Sequence, residues 1–297
     1  MPDYMTTREL AELLRIKERK VYELVSNDLI PVSRVTGKLL FPRDIVAAWL
    51  SRHTEFGAGE AALKSHDPVV AGSHDPLLEW ALRESGAGLA VLSDGSLDGL
   101  RRLAAGNAVA AGIHLPEIDK ETDAEGFNVG WVRLHLAGQP VVAIEWARRR
   151  QGLILPRGNP AAIGSLADLA GSKLMPRQQG SGSRALLDRL LAAAPALEPA
   201  IALLDPPARN EADVAHAVAS GHADAGLGIA AAARQYGLDF VPLAEERYDL
   251  VVWRRDFFDA PMQRLMGFCR EPALARRAAE LGGYDLSGFG TVHYNGP

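Results

Sequence analysis

Two arginines, two glycines and two serines crowd into Arg177-Gln178-Gln179-Gly180-Ser181-Gly182-Ser183-Arg184. The run Ala185-Leu186-Leu187-Asp188-Arg189-Leu190-Leu191 follows at once and has the spacing of an amphipathic helix. Glycines let a loop bend sharply and bring its N–H groups close to a guest. The start of a helix adds unpaired N–H groups and a partial positive charge. Serine hydroxyls and arginine forks supply further donors, so the chemistry on offer is capture of a small oxyanion. The same residues also suit an ordinary N-cap, with Ser181 or Ser183 capping the helix and the arginines solvated. Taken alone, the stretch does not separate these two readings.

The elements around it decide where such a loop would sit. From Pro68 the chain alternates short apolar runs with helical periodicity: Val69-Val70-Ala71-Gly72 and a helix over 77–84, Gly88-Leu89-Ala90-Val91-Leu92 and a helix over 97–105, then a third strand over 108–115. Alternation of this kind argues a parallel α/β sheet, whose ligands bind beyond the carboxyl ends of the strands. Ser73-His74-Asp75 and Ser93-Asp94-Gly95-Ser96 both fall at that edge, each at a helix start. Two apolar segments over 128–137 and 140–144 come next, and 151–156 reads as a strand crossing into a second lobe. That lobe holds the short strand Lys173-Leu174-Met175, the Gly-Ser-Arg loop with its helix, and a helix over 211–220. Strands over 240–243 and 248–253 return the chain to the first lobe, and 261–281 forms two amphipathic helices.

The head is of another kind. Thr6-Thr7-Arg8-Glu9 has capping-box spacing, and Leu10, Ala11, Leu13 and Leu14 form the apolar stripe of a short helix. Arg15-Ile16 make a tight turn into a second helix over about 17–27, which buries Val21, Leu24 and Val25. Two short apolar runs around Thr36-Gly37 form a small wing, and Pro42 opens a third helix with Ile45, Val46, Trp49 and Leu50 inward. Two short helices joined by a tight turn are the helix-turn-helix plan. This head resembles the winged helix-turn-helix of the excisionase and MerR-like DNA-binding class over nearly all of residues 5–53. The resemblance implies that Lys17, Arg19, Lys20 and Tyr22 face the major groove of duplex DNA. It places Arg34 and Lys38, on the wing, at the backbone or minor groove. A three-helix protein-interaction module with solvated basic residues is the other reading.

Composition bounds the rest. At 297 residues the chain has room for two or three domains, and its net charge of −5 does not suggest a protein coated in nucleic acid. Residues 1–53 nevertheless carry nine Lys/Arg against seven Asp/Glu, a slightly basic head on an acidic body. Cys269 is the only cysteine, which excludes an intramolecular disulfide and a cysteine metal site. The N-terminal residues have no apolar core and no run approaches a membrane span, so the expected location is the cytoplasm. Residues 54–66 shift to small and polar types and mark a boundary: 1–55 head, 56–67 linker, 68–297 body, with the second lobe at about 156–240.

Several stretches of the body, in chain order, resemble a periplasmic-binding-protein-type domain of the molybdate-binding-like group. They are Gly72-Ser73-His74-Asp75-Pro76, Gly112-Ile113-His114-Leu115, Gln151-Gly152-Leu153, Gly158-Asn159-Pro160, Gly180-Ser181-Gly182-Ser183-Arg184, Val218-Ala219-Ser220-Gly221 with Ala223-Asp224-Ala225-Gly226-Leu227-Gly228, and Glu246-Arg247-Tyr248-Asp249-Leu250. With the head, the chain is similar to one-component transcriptional regulators. The implied fold is α/β: an N-terminal winged helix-turn-helix domain plus a two-lobed, type II periplasmic-binding-protein-like domain that closes on its ligand like a hinge. The resemblance implies molybdate or tungstate as the ligand, held by Ser73, His74 and Ser96 of the first lobe and Arg177, Ser181, Ser183 and Arg184 of the second. The sequence departs from the pattern twice, with Pro176 where the family carries Asn and Asp213 where it carries His.

Catalysis finds little support. Gln179 occupies the first glycine position of a nucleophile elbow, and the loop lacks the lysine of a P-loop. His216 and His222 are out of helical i,i+4 register, which argues against a metal site. The expectation is therefore a non-enzymatic, cofactor-free regulator that senses a small oxyanion and binds DNA as a homodimer, since one small head makes few phosphate contacts. A regulator of small carboxylates or sulfonates, and a cytoplasmic anion carrier whose head docks a protein, are the alternatives.

Overall fold

Thr6 caps the first helix as its spacing predicts: its hydroxyl accepts from the Glu9 N–H while the Glu9 carboxylate accepts from the Thr6 N–H at 2.7 Å. In the computed structural model, which describes residues 4–27, 29–34, 37–52, 66–117 and 126–297, the chain divides into two compact units, Met1–Lys64 and Ser65–Pro297. In the first unit β1 (Tyr4–Met5) precedes α1 (Thr7–Leu14), and Arg15, in the left-handed region, turns the chain into α2 (Glu18–Ser26). β2 (Phe41–Pro42) pairs antiparallel with β1 and leads into α3 (Arg43–Arg52). Met5, Leu10, Val21, Val25, Phe41 and Val46 form the core of this unit. Leu13, expected inward, is half exposed because the partner helix covers only the Leu10–Ala11 side. The tip of the expected wing at Thr36 and nearly all of the expected linker lie outside the described residues, although Ser33 and Leu40 pair as a wing requires.

The second unit begins with β3 (Val69–Gly72), α4 (Pro76–Glu84), β4 (Ala90–Leu92), α5 (Ser96–Ala104) and β5 (Ala110–Ile113). The strands are parallel, with β3 between the other two, as expected for successive β-α-β units. The segment over 128–137 is a helix, α6 (Val129–Leu136), buried through Val129, Val132 and Leu136 at helical spacing. Next, the apolar runs at 140–144 and 151–156 prove to be the two ends of one strand, β6 (Val141–Leu155). Beyond it lie β7 (Lys173–Met175), α7 (Gly182–Ala192), β8 (Ala202–Leu203), α8 (Glu211–Ala219), β9 (Ala225–Ile229) and α9 (Ala230–Gln235). The strands expected at 240–243 and 248–253 are likewise one, β10 (Asp239–Trp253). α10 (Arg254–Phe257), α11 (Ala260–Phe268), α12 (Pro272–Leu281), β11 (Tyr284–Asp285) and β12 (Val292–Asn295) complete the chain.

All these strands join one ten-stranded sheet in the order β4-β3-β5-β10-β6-β9-β7-β8, with β11 and β12 also on β6. β7, β8 and β9 form a second parallel set. Only β6 and β10 serve both sets: they pair antiparallel along most of their length, β10 borders β5, and β6 borders β9. Register shifts at Pro242/Ala244 and Tyr248/Asp249 interrupt this pair. Apolar packing in this unit forms three clusters, one of which, with Leu77, Ala81, Trp146, Val214, Val218 and Leu274, draws on both lobes, while each lobe also has a cluster of its own. Of these last two, one is built on Leu100, Leu103, Ile113 and Val132, and the other on Leu169, Leu174, Leu187 and Leu227. Two parallel sets joined through the long strands β6 and β10 make a mixed α/β, two-lobed fold, and the irregular pairing of those two strands is where the lobes can hinge.

Candidate functional site

The helix starts that should face a ligand do converge. Ser73 begins the loop after β3, and its hydroxyl lies 2.6 Å from Nε2 of His114, the residue after β5. His114 Nδ1 lies 2.7 Å from Glu246 of β10. Nδ1–H donates to the carboxylate, and Nε2 donates to the Ser73 hydroxyl oxygen when the ring is protonated, which frees the Ser73 hydrogen, or accepts from Ser73 when the ring is neutral. The Ser96 hydroxyl, at the first residue of α5, accepts from the His114 N–H at 3.2 Å. Both serines are buried.

From the other lobe, Ser181 caps α7 by accepting from the Arg184 N–H, as the capping reading required. Gly182, first in α7, sits directly on His114: a Cβ there would overlap the His114 carbonyl oxygen and ring. The loop before it crosses to α5, where the Gly180 carbonyl accepts from the Leu97 N–H at 3.4 Å. Gly95, the N-cap of α5, offers no side-chain acceptor of its own, so this carbonyl stands where an anion would cap the helix. At the rim, Arg209 donates to Asp94 across the same divide at 2.8 Å.

Below these helix starts lies a buried ionic network that only the fold reveals. Arg149 of β6 donates to Glu246 and, at 2.9 Å, to Asp75. Gln151 donates to Glu246 at 3.1 Å and to the Ser183 hydroxyl at 2.9 Å. Ser183 in turn donates to Glu211, the first residue of α8, at 3.1 Å. Arg177 closes the chain by pairing with Glu211 and donating to the Arg209 carbonyl. Asp75 also accepts from Trp146, at 3.1 Å, and from the Tyr284 hydroxyl, at 2.7 Å, besides capping α4. Burial pushes the Glu246 carboxyl up, but the charge of Arg149, then that of His114, outweighs it and leaves its pKa at about 2. Burial alone would lower the Arg149 guanidinium, yet Glu246 and Asp75 hold it above its ordinary value.

Because Glu246 titrates below the ordinary 4.5, its contribution to stability is fully present above that pH. It is lost as pH falls through about 2. Denaturant midpoints measured across this range should fall in the wild type, and Glu246→Gln should remove that part of the slope.

The sequence-derived residues thus separate into groups. Ser73, Ser96 and Ser183 belong to one connected network, and Ser181 caps the helix that meets it. Arg177 is buried there but already neutralised by Glu211. His74 contributes only its carbonyl, 3.4 Å from Arg149; its ring turns to Glu79 at 3.1 Å. Arg184 pairs along its own helix with Asp188 at 2.7 Å rather than joining the network. His114, Gln151 and Glu246 lie in stretches that carried the resemblance but were not taken as ligand residues, and Arg149 and Glu211 were not singled out. The signal available was charge within strands otherwise apolar: Arg149 in β6 and Glu246 in β10.

The Cys269 thiol is buried and pushed up to about 12 by burial, so it is not a reactive nucleophile. Among the described residues no group of three or more His, Cys, Asp and Glu side chains could hold a metal ion. No described helix is long and apolar enough to cross a membrane.

In the head, Lys17 is the N-cap of α2, and Lys17, Arg19, Lys20 and Tyr22 are all exposed on or beside that helix. Lys20 makes a surface pair with Glu23 at 2.5 Å. Arg34 and Lys38 are exposed between the bridged residues Ser33 and Leu40.

A two-lobed binding domain with a shared hinge, preceded by a helix-turn-helix unit, is the class these features define. Residues 79–270 match the model of the PBP superfamily domain, and residues 4–54 match that of a helix-turn-helix domain. The chain belongs to the PBP superfamily of periplasmic-binding-protein-like domains, fused here to a helix-turn-helix domain. It is 27% identical to YvgK of Bacillus subtilis (strain 168) over 268 residues, covering 84% of this chain and 85% of that one. It is 36% identical over 80 residues to an uncharacterized protein of the ferredoxin 2Fe-2S gene 5′ region of Clostridium pasteurianum, covering 27% of this chain and 71% of that one. Among solved structures, a histidine kinase sensor domain with similarity to periplasmic binding proteins overlays with a TM-score of 0.45 at 16% identity, over 74% of this chain and 97% of that one. Both matched families are of regulatory and binding type rather than enzymatic. Their combination supports a ligand-sensing, DNA-binding regulator.

Proposed function

We propose that this protein is a cytoplasmic, homodimeric transcriptional regulator that senses a small oxyanion, molybdate or tungstate, between the lobes of its body. The observation that carries this reading is the meeting of two helix starts from opposite lobes, α5 and α7, around the hydroxyls of Ser73 and Ser96. Helix N-termini and hydroxyls bind tetrahedral oxyanions without a full countercharge. In this mechanism the ligand takes the place of the Gly180 carbonyl over α5, and its oxygens reach Ser73, Ser96 and the first turn of α7. Ligand contacts made to both lobes favour one hinge angle over others, and the changed angle resets the spacing of two heads on DNA. Lys17, Arg19, Lys20 and Tyr22 meet the major groove, with Arg34 and Lys38 on the flanking phosphates.

A second reading is favoured by the buried carboxylates. Glu246 and Glu211 already neutralise Arg149 and Arg177. A ligand that joins a carboxylate or sulfonate to a cationic group could exchange into those pairs charge for charge. Thermal unfolding with molybdate, tungstate, sulfate, phosphate and small zwitterions separates the readings. The right ligand should stabilise by about 2.7 kcal/mol at a hundredfold excess over its Kd. A shift given only by zwitterions would replace the oxyanion reading, and no shift with any of them would end both.

The DNA half is checked independently. Arg19→Glu should abolish the gel shift of promoter DNA at moderate salt. The dependence of log K on log salt should also flatten, by about one for each phosphate that the protein no longer neutralises. An unchanged gel shift would favour a protein-docking head.

A further inference from the structure

A cavity of about 320 Å³ is lined by His74, Glu79, Trp80, Arg83, Tyr236 and Arg277. Its walls come from α4 and α12 together with the start of α8 and the end of α9. Two buried nitrogens in its lining have no hydrogen-bond partner, His74 Nδ1 and Arg277 Nε. Each is an unmet demand, since a buried polar group without a partner is costly. The demands differ in kind. The His74 ring approaches the Glu79 carboxylate through Nε2 at 3.1 Å, so in the neutral ring Nε2 carries the proton and Nδ1 can only accept. Arg277 Nε can only donate. Its guanidinium lies 5.9 Å from the centre of the Trp80 ring and also binds Glu280 at 3.1 Å. Trp80 is backed by Phe268 at 5.4 Å, which leaves its ring and that of Tyr236 as aromatic surface in the cavity wall.

We infer that this cavity is a second small-molecule site, for a planar aromatic carboxylate that also bears a hydroxyl group. The ring packs on Trp80 and Tyr236, the carboxylate accepts from Arg277 Nε, and the hydroxyl donates to His74 Nδ1. Arg83 and Arg277 make the lining net positive, because its one carboxylate, Glu79, is engaged by the His74 ring. The volume falls at the lower end of ordinary ligand pockets. The site shares no side chain with the serine network and does not depend on what that network binds. It is built from helices of both lobes, so its occupant also biases the hinge.

Calorimetric titration of the full-length protein with 4-hydroxybenzoate tests the assignment. Binding is expected. Benzoate, phenol and cyclohexanecarboxylate, which lack in turn the hydroxyl, the carboxylate and the aromatic ring, should each bind about tenfold more weakly. Arg277→Gln and Trp80→Leu should weaken 4-hydroxybenzoate by about the same factor, and His74→Ala should make 4-hydroxybenzoate and benzoate equal. Ser183→Ala, in the other network, should leave the titration unchanged. The inference is overturned if 4-hydroxybenzoate does not bind, if cyclohexanecarboxylate matches it, or if Ser183→Ala weakens it while Arg277→Gln does not. Failure of molybdate and tungstate to shift the melting curve bears on the other network alone.

Discussion

Arg149→Leu should destabilise the body by about 3–5 kcal/mol, the range for removing one partner of a buried ion pair. Arg149 is almost completely buried, and its guanidinium is shared between Glu246 and Asp75. Leucine fills much of the space but leaves two carboxylates in a site built for three charges. Those carboxylates do not act alone. Asp75 holds Trp146, Tyr284 and the start of α4, while Glu246 holds His114 and Gln151. The loss should therefore spread along the hinge strands and loosen both lobes, with urea midpoints falling and hydrogen exchange rising in β6 and β10. The double variant Arg149→Leu with Glu246→Leu should recover part of the loss, because it removes a charge that the single variant strands. A single variant within about 1 kcal/mol of the wild type would mean that water reaches this site and the network is not dry.

Gly182→Ala should weaken ligand binding by about tenfold to a hundredfold, corresponding to the 1–3 kcal/mol typical of overpacking. The added methyl group would overlap the carbonyl and ring of His114, and neither can retreat far. The ring is pinned by Ser73 and Glu246, and the carbonyl belongs to the buried exit from β5. The α7 start must then stand away from the first lobe, and the Gly180 carbonyl with it. At the first position of α7 alanine gains little over glycine, because the helix-propensity cost of glycine belongs to helix interiors. Stability without ligand should fall by up to about the same 1–3 kcal/mol, and the ligand-induced thermal shift should shrink as well. An undiminished shift would show that the ligand does not require the α7 start and His114 to touch.

Local features were legible in the sequence wherever neighbours along the chain set the outcome. The Thr6 capping box, the Asp75 and Ser181 caps, the β-α-β alternation from Val69 and the two terminal helices each depend on a few successive residues. Motif order carried the family, and with it the expectation that Ser73, Ser96 and Ser183 share a site. The two hinge strands were not legible as single elements. β6 and β10 each run for 15 residues, but Glu145 to Gln151 and Glu245 to Asp249 break their apolar pattern with charge. Read locally, such residues belong on a surface or in a loop.

Tertiary structure put them inside, because each charge finds its opposite far along the chain: Arg149 meets Glu246 97 residues away, and Arg177 meets Glu211 34 residues away. Desolvating such a charge is tolerable only when the partner arrives with it, and no periodicity encodes that arrival. The same reason separates the two arginines of the Gly-Ser-Arg loop. Sequence makes them equivalent donors, whereas the fold commits Arg177 to a buried carboxylate and leaves Arg184 to pair with Asp188 one turn along its helix. The residue types in the loop therefore announced an affinity for negative charge. Which negative charge satisfies each of them was settled by which carboxylates the folded chain carried into reach.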